Sequence, residues 1–145
     1  METPKKVCPV VFRLCDGQPE VLAFTHPSAG KQFVKGGIKA GESPVEAAIR
    51  ELREESGIRA SLPLDSLGHF QIGETRARWL FFAGKVPDLP DSWRHQTEDD
   101  FGHTFAFFWH PLSQPLNLDW HSVFHEAFAF FAPRLLAKRP QNLRS

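Results

Sequence analysis

The sequence predicts an α+β fold, a mixed β-sheet covered on both faces by helices. Short runs rich in Val, Phe, Leu and Trp recur between turn-forming Gly, Pro and Asp, the pattern of strands and hairpins. Two segments, about residues 44–56 and 120–138, place apolar residues at helical spacing instead. Strand-like runs flank these helices, so each helix has a sheet face to cover. A chain of 145 residues with 41% apolar content is expected to form one domain, residues 1–145, with a real core.

Taken in order, a strand is expected near Val7 to Leu14, a turn at "DGQP", and a second strand near Glu20 to Thr25, together a hairpin. "HPSAGK" is a loop and "QFVK" a short strand, followed by the glycine-rich turn that begins at Gly36. The helix from about Pro44 to Ser56 is well punctuated: Ser43 caps it, Pro44 suits its first turn, Glu46 completes a capping box and Gly57 stops it. Its Val45, Ala48, Ile49 and Leu52 form the expected apolar stripe. After Ile58, "LGHFQIG" and "RARWLFFAGKV" are strand-like, and "PDLPDSWRHQTEDDFG" is a polar loop. "HTFAFFWHPL" is a further strand. The closing helix runs from about Trp120 to Lys138, with His121 and His125 as polar edge residues and Phe124, Phe128 and Phe131 directed to the core. Residues 139–145 look like a frayed basic tail.

Charge excludes some function classes. Lys and Arg number 17, as do Asp and Glu, so the balanced surface lacks the footprint of a protein that grips polymeric nucleic acid or an anionic membrane. No apolar run approaches a membrane span, which points to a soluble, cytoplasmic protein with small partners. Cys8 and Cys15 are read as two reduced core thiols, with no CxxC for zinc or redox work.

The unusual feature is the helix "PVEAAIRELREES". Residues three and four apart share a helix face, so Glu51, Glu54 and Glu55 direct their carboxylates toward one region and repel one another. Hard divalent cations prefer such oxygen clusters, and Mg²⁺ in particular combines few protein oxygens with substrate phosphates. Gly36 and Gly37 let backbone approach the same spot, and Arg50 can reach back to Glu42 to tie the turn to the helix.

Gly36, Glu42, Arg50, Glu51, Leu52, Glu54, Glu55, Gly57 and Ile58 match G-x5-E-x7-R-E-U-x-E-E-x-G-U, U being aliphatic, over 23 residues. On these residues the chain resembles the Nudix hydrolases. The resemblance implies an α/β/α sandwich that uses Mg²⁺ or Mn²⁺ to hydrolyse a nucleoside diphosphate linked to another group. It implies that Glu54 and Glu55 are the principal metal ligands, joined by the Gly36 carbonyl. Glu51 is a further ligand or the residue that orients or deprotonates the attacking water, and Glu42 with Arg50 is the structural pair. Family members often recruit a further acid from a late loop, for which "QTEDDFG" offers Glu98 first, then Asp99 and Asp100. A homodimer is compatible with the resemblance.

Substrate residues are sought among cations and rings near the turn. Lys35, Arg76 and Arg78 are candidates for phosphate, and Phe33 and Trp93 for stacking on a base. Lys39 stands where relatives often have an acid, and the chain has no tyrosine for base stacking. The expected substrate is an ordinary or oxidised nucleoside triphosphate, cleaved to monophosphate and pyrophosphate. Nucleotide sugars, dinucleoside polyphosphates and a non-catalytic nucleotide sensor are the alternatives.

Overall fold

A computed structural model describes residues 5–60, 64–97 and 102–138. Ten elements follow one another: β1 (Lys5–Cys15), β2 (Gln18–His26), β3 (Gly30–Gln32), β4 (Gly36–Gly37), α1 (Pro44–Ser56), β5 (Asp65–Ile72), β6 (Ala77–Lys85), β7 (Trp93–Gln96), β8 (Thr104–Pro111) and α2 (Ser122–Ala137). The strands form one mixed sheet in the order β5-β6-β1-β2-β8-β7, with β3 paired to β2 and β4 to β1. Only β1 and β6 run parallel among the described pairs; the others are antiparallel.

The sheet is buried on both faces, as expected. In β1 the even positions Cys8, Val10 and Phe12 pack with Phe124, Ala127, Phe131 and Leu135 of α2. Its odd positions Val7 and Val11 turn the other way, Val7 toward Ala47 and Ala48 of α1 and Val11 toward the cluster containing Leu52. A strand covered on both sides needs a continuous apolar run, which "VCPVVF" supplies.

One departure from simple hairpin geometry creates the site. β1 and β2 pair from Phe12↔Val21 to Cys15↔Gln18 and then part. Residues 30–37 enter the split: β3 pairs with β2 through Phe24↔Gln32, and β4 pairs with β1 through Val7↔Gly36. The single expected strand "QFVK" is therefore two shorter strands on either side of it. β7 emerges within the expected "PDLPDSWRHQTEDDFG" loop because His95↔Phe105 and Trp93↔Phe107 pairing recruits it to the β8 edge.

α1 is punctuated as its sequence predicts. The Ser43 hydroxyl accepts from the Glu46 N–H at 3.2 Å, the Glu46 carboxylate accepts from the Ser43 N–H at 2.9 Å, and left-handed Gly57 closes the helix. Its buried face is Ala47, Ala48, Leu52 and Ser56, with Val45 and Ile49 only half-buried, a rotation of the expected stripe. The small residues let the helix lie close to β1. α2 starts at Ser122 rather than Trp120: the His121 Nδ1 accepts from the Val123 N–H at 3.2 Å and caps it, while Trp120 forms a bridge to Lys31. Cys8 is buried, where burial pushes its thiol up; Cys15 is exposed at the end of β1, which corrects the expectation of two core thiols. The expected tail at 139–145 lies outside the described residues.

Candidate functional site

The split in the sheet opens on a cavity of about 490 Å³, the size of a small-ligand site, lined by His26, Gln32, Lys35, Glu51, Glu55, Thr97 and Phe105. Each wall comes from a different element: β2 gives His26, β3 Gln32, β8 Phe105, α1 the two carboxylates, and the segment joining β3 to β4 gives Lys35.

Gly36 explains how Glu51 reaches this cavity. A Cβ on Gly36 would lie 2.0 Å from Glu51 Cδ and 2.2 and 2.3 Å from its two carboxylate oxygens. The carboxylate thus occupies the space that any other residue at 36 would fill. The Glu51 carboxylate is packed against the Gly36 backbone, and carboxylate and carbonyl oxygens are the donor types that a hard cation such as Mg²⁺ prefers.

Arg50 organises the other side. Its Nε and Nη2 donate to the two Glu42 oxygens at 2.8 and 3.0 Å, and Nη2 also donates to the Gly37 carbonyl at 2.9 Å. Nη1 donates to Glu51 at 2.9 Å and to Glu54 at 3.0 Å. This fork confirms the expected Glu42–Arg50 tie and extends it to two further carboxylates. Hydrogen bonding from Arg50, with the Lys39 backbone N–H second, holds the Glu42 carboxyl down at about 2. The same bond to Glu42 raises the Arg50 pKa further.

The structure therefore brings Glu51 and Glu55 together with Lys35 at the cavity, and sets Glu54 beside Arg50 and Arg53. Among the described residues no three His, Cys, Asp or Glu side chains are already gathered as a metal cluster. Glu98, with Asp99 and Asp100, lies outside the described residues.

The substrate candidates separate. Phe33 is only 3% exposed and packs among Trp120, Phe124, Phe128 and Phe131, with ring centroids 4.7 to 6.1 Å away. That corrects its expected role as a base platform: strand alternation turns it to the α2 face. Trp93 is half-buried on β7, stacked on Phe107 at 5.1 Å and donating its indole N–H to the Ser56 carbonyl at 3.0 Å, so it supports the end of α1. Arg76 is exposed in the β5–β6 turn and donates to Gln71 at 2.7 Å, and Arg78 contacts His69; neither lines the cavity.

Sequence reasoning missed the ring wall. His26 lies 4.9 Å from His103 and 5.2 Å from Phe105, and Phe105 stacks on Phe24 at 4.2 Å. It missed Lys6 as well, which the β1–β4 register sets opposite Gly37. Neither has a local sequence signal, since both depend on which strands become neighbours.

A mixed sheet between two helices, with a glycine-backed glutamate helix at its split, is the arrangement that the resemblance in the sequence implies. The family model of the NUDIX domain matches residues 4–130. An RNA pyrophosphohydrolase of Hahella chejuensis is 28% identical, over 89% of this chain and 91% of its own. Among solved structures, the E. coli ORF135 protein superposes with TM-score 0.64 at 26% identity, over 98% of this chain and 96% of that one. The C. elegans Ap4A hydrolase gives 0.61 at 20% identity, over 92% and 99%. The chain belongs to the NUDIX family and is a hydrolase of diphosphate bonds.

Proposed function

We propose that this single-domain protein acts in the cytoplasm as a Mg²⁺- or Mn²⁺-dependent pyrophosphohydrolase, converting an ordinary or oxidised nucleoside triphosphate to the monophosphate and pyrophosphate. The observation that carries this reading is the Glu51 carboxylate held against Gly36 in the cavity that Glu55 and Lys35 also line. Glu51, Glu54, Glu55 and the Gly36 carbonyl are the residues that would hold the metal. Bound there, a divalent ion would neutralise diphosphate charge and make a coordinated water more acidic.

The residues of this chain then have distinct tasks. Glu51 accepts a proton as water attacks phosphorus and the bond to the leaving phosphate oxygen breaks. Arg50 fixes Glu51 and Glu54 in place while bracing the turn through Glu42. Lys35 meets phosphate oxygens, and the His26–Phe105 wall offers ring faces to a base. Glu98, which precedes β8 in the sequence and lies outside the described residues, is proposed as the additional acid.

A second substrate, the triphosphate end of an RNA, is favoured by the relative named RNA pyrophosphohydrolase. It presents the same bond, although the balanced net charge gives little grip on the rest of a polymer. The test is a panel of ordinary and oxidised nucleoside triphosphates, nucleotide sugars, dinucleoside polyphosphates and a 5′-triphosphorylated oligoribonucleotide, comparing wild type with Glu54→Gln in Mg²⁺ and Mn²⁺. Turnover of triphosphates that is lost in Glu54→Gln is expected. Turnover confined to nucleotide sugars or dinucleotides, or nucleotide binding without product, would overturn the reading.

A further inference from the structure

The cavity has two unlike lips. On one side of the split stand the rings of His26 and Phe105, carried by β2 and β8. On the other side runs β1, where Lys6 pairs with Gly37 and Val7 pairs with the Gly36 that backs Glu51. Lys35 lines the cavity between them, with Glu51 and Glu55.

Lys6 belongs electrostatically to this group. Burial is the main effect lowering its amine below the usual lysine range, and Lys35 lowers it further, while Glu51 and Glu55 act in the opposite sense. The register sets Lys6 opposite Gly37, two residues from Lys35, so the two lysines share one face of the β1–β4 pair, where an added polyanion would meet both charges. Arg50, the other cation at the site, is already engaged by Glu42, Glu51, Glu54 and the Gly37 carbonyl. Lys6 and Lys35 are the cations placed to meet a ligand's charge on the β1 side.

We propose that Lys6 acts with Lys35 to grip the outer phosphates of the substrate, so that the base lies toward β2 and β8 and the leaving group toward β1. This rests on the reading of the cavity as the diphosphate-hydrolysis site, and it makes Lys6 a specificity-determining residue. A pyrophosphate leaving group presents more negative charge to the lysine pair than a sugar phosphate does, so the pair favours triphosphates over nucleotide sugars.

The test uses the full chain in Mg²⁺, titrated calorimetrically with inorganic pyrophosphate and, separately, with AMP. Lys6→Met is expected to weaken pyrophosphate binding about tenfold, the scale of one lost charge-assisted hydrogen bond, with AMP affinity held within about twofold. Lys6→Arg should restore most of the pyrophosphate affinity, and Lys5→Met, at the exposed neighbour, should change neither ligand. Thermal unfolding of each variant separates loss of the charge from loss of the fold. Unchanged pyrophosphate affinity in a folded Lys6→Met, equal loss for both ligands, or a wild type that does not bind pyrophosphate would overturn the inference. Because the readout is binding, a failed turnover panel with Lys6-dependent pyrophosphate affinity would refute the proposed reaction and leave this inference standing.

Discussion

Replacing Gly36 with alanine would set a methyl group into space that the Glu51 carboxyl already fills. The new Cβ would stand 2.0 Å from Glu51 Cδ, where two carbons need about 3.5 Å, so the carboxyl must retreat by about 1.5 Å. Gly36 is not among the residues with positive φ, so its backbone accepts alanine, and what must move is the end of a flexible side chain. The stability cost is then an off-rotamer glutamate, about 1 kcal/mol, largely offset by the reduced chain entropy of alanine in the unfolded state. Catalysis has no such relief. A displacement of about 1 Å in a catalytic group costs about 100-fold, so kcat should fall by that factor, about 2.7 kcal/mol in the barrier. The assay is steady-state turnover on the substrate that the panel returns, beside a thermal melt. A variant with wild-type kcat would refute the placement of Glu51 at the reacting centre. One that loses both turnover and several kcal/mol of stability would show that Gly36 serves the fold instead.

Further expectations concern the supports of the site. The Glu42 carboxyl is held at about 2 against an ordinary 4.5, so its contribution to stability is present above pH 4.5 and lost as pH falls toward 2. The Tm gap between wild type and Glu42→Gln should therefore be constant from pH 5 to 7 and close between pH 4.5 and 2; a gap that widens in acid would contradict the assignment. Trp93→Phe keeps the ring on Phe107 but loses the bond to Ser56, a cost of about 1 kcal/mol by denaturant unfolding, whereas Trp93→Ala should cost about 3 kcal/mol. Phe33→Leu should lose about 1.5 kcal/mol of stability and leave KM unchanged, as befits a ring inside the α2 cluster; a raised KM with unchanged stability would return it to the substrate.

What was legible in the sequence is what is encoded locally. α1 has its cap, first-turn proline and terminal glycine within a few residues of the elements they serve, and all were placed correctly. The Glu42–Arg50 tie was legible for the same reason, since the turn and the helix are adjacent in the chain. Register is what the sequence hides. β4 has only two residues, too few for any periodic pattern, and exists because β1 and β2 part and leave a partner for Gly36 and Gly37. Phe33 looked like a site residue because it stands three positions before Gly36, yet alternation along the chain directs it to the opposite face of the sheet. Lys6 sits in an ordinary basic start to the first strand and gains meaning only through its β4 neighbour.

The charge pattern of α1 follows from where each carboxylate finds compensation. A helix that carried Glu51, Glu54 and Glu55 on a solvated surface would lose a few tenths of a kcal/mol to each close pair, with nothing in return. Here Arg50 binds Glu42, Glu51 and Glu54 on the side of the turn, while Lys6 lies in the field of Glu51 and Glu55 and Lys35 lines the cavity with them. The two sets of cations are not equivalent. The guanidinium of Arg50 is fully engaged in a fork whose partners all lie within the motif, so it makes the cluster rigid. The ammonium groups of Lys6 and Lys35 stand on intrinsically flexible stems, which suits them to follow an incoming polyanion. Glu51 is bound by Arg50 and lines the cavity with Lys35, which makes it the residue through which substrate charge at the β1 lip and the geometry of the helix are coupled. Weakening the Arg50 fork at Glu42 should therefore lower kcat more than it raises KM, and removing Lys6 should do the reverse. Steady-state kinetics of Glu42→Gln and Lys6→Met, measured side by side, would reject this division if both variants altered the same constant.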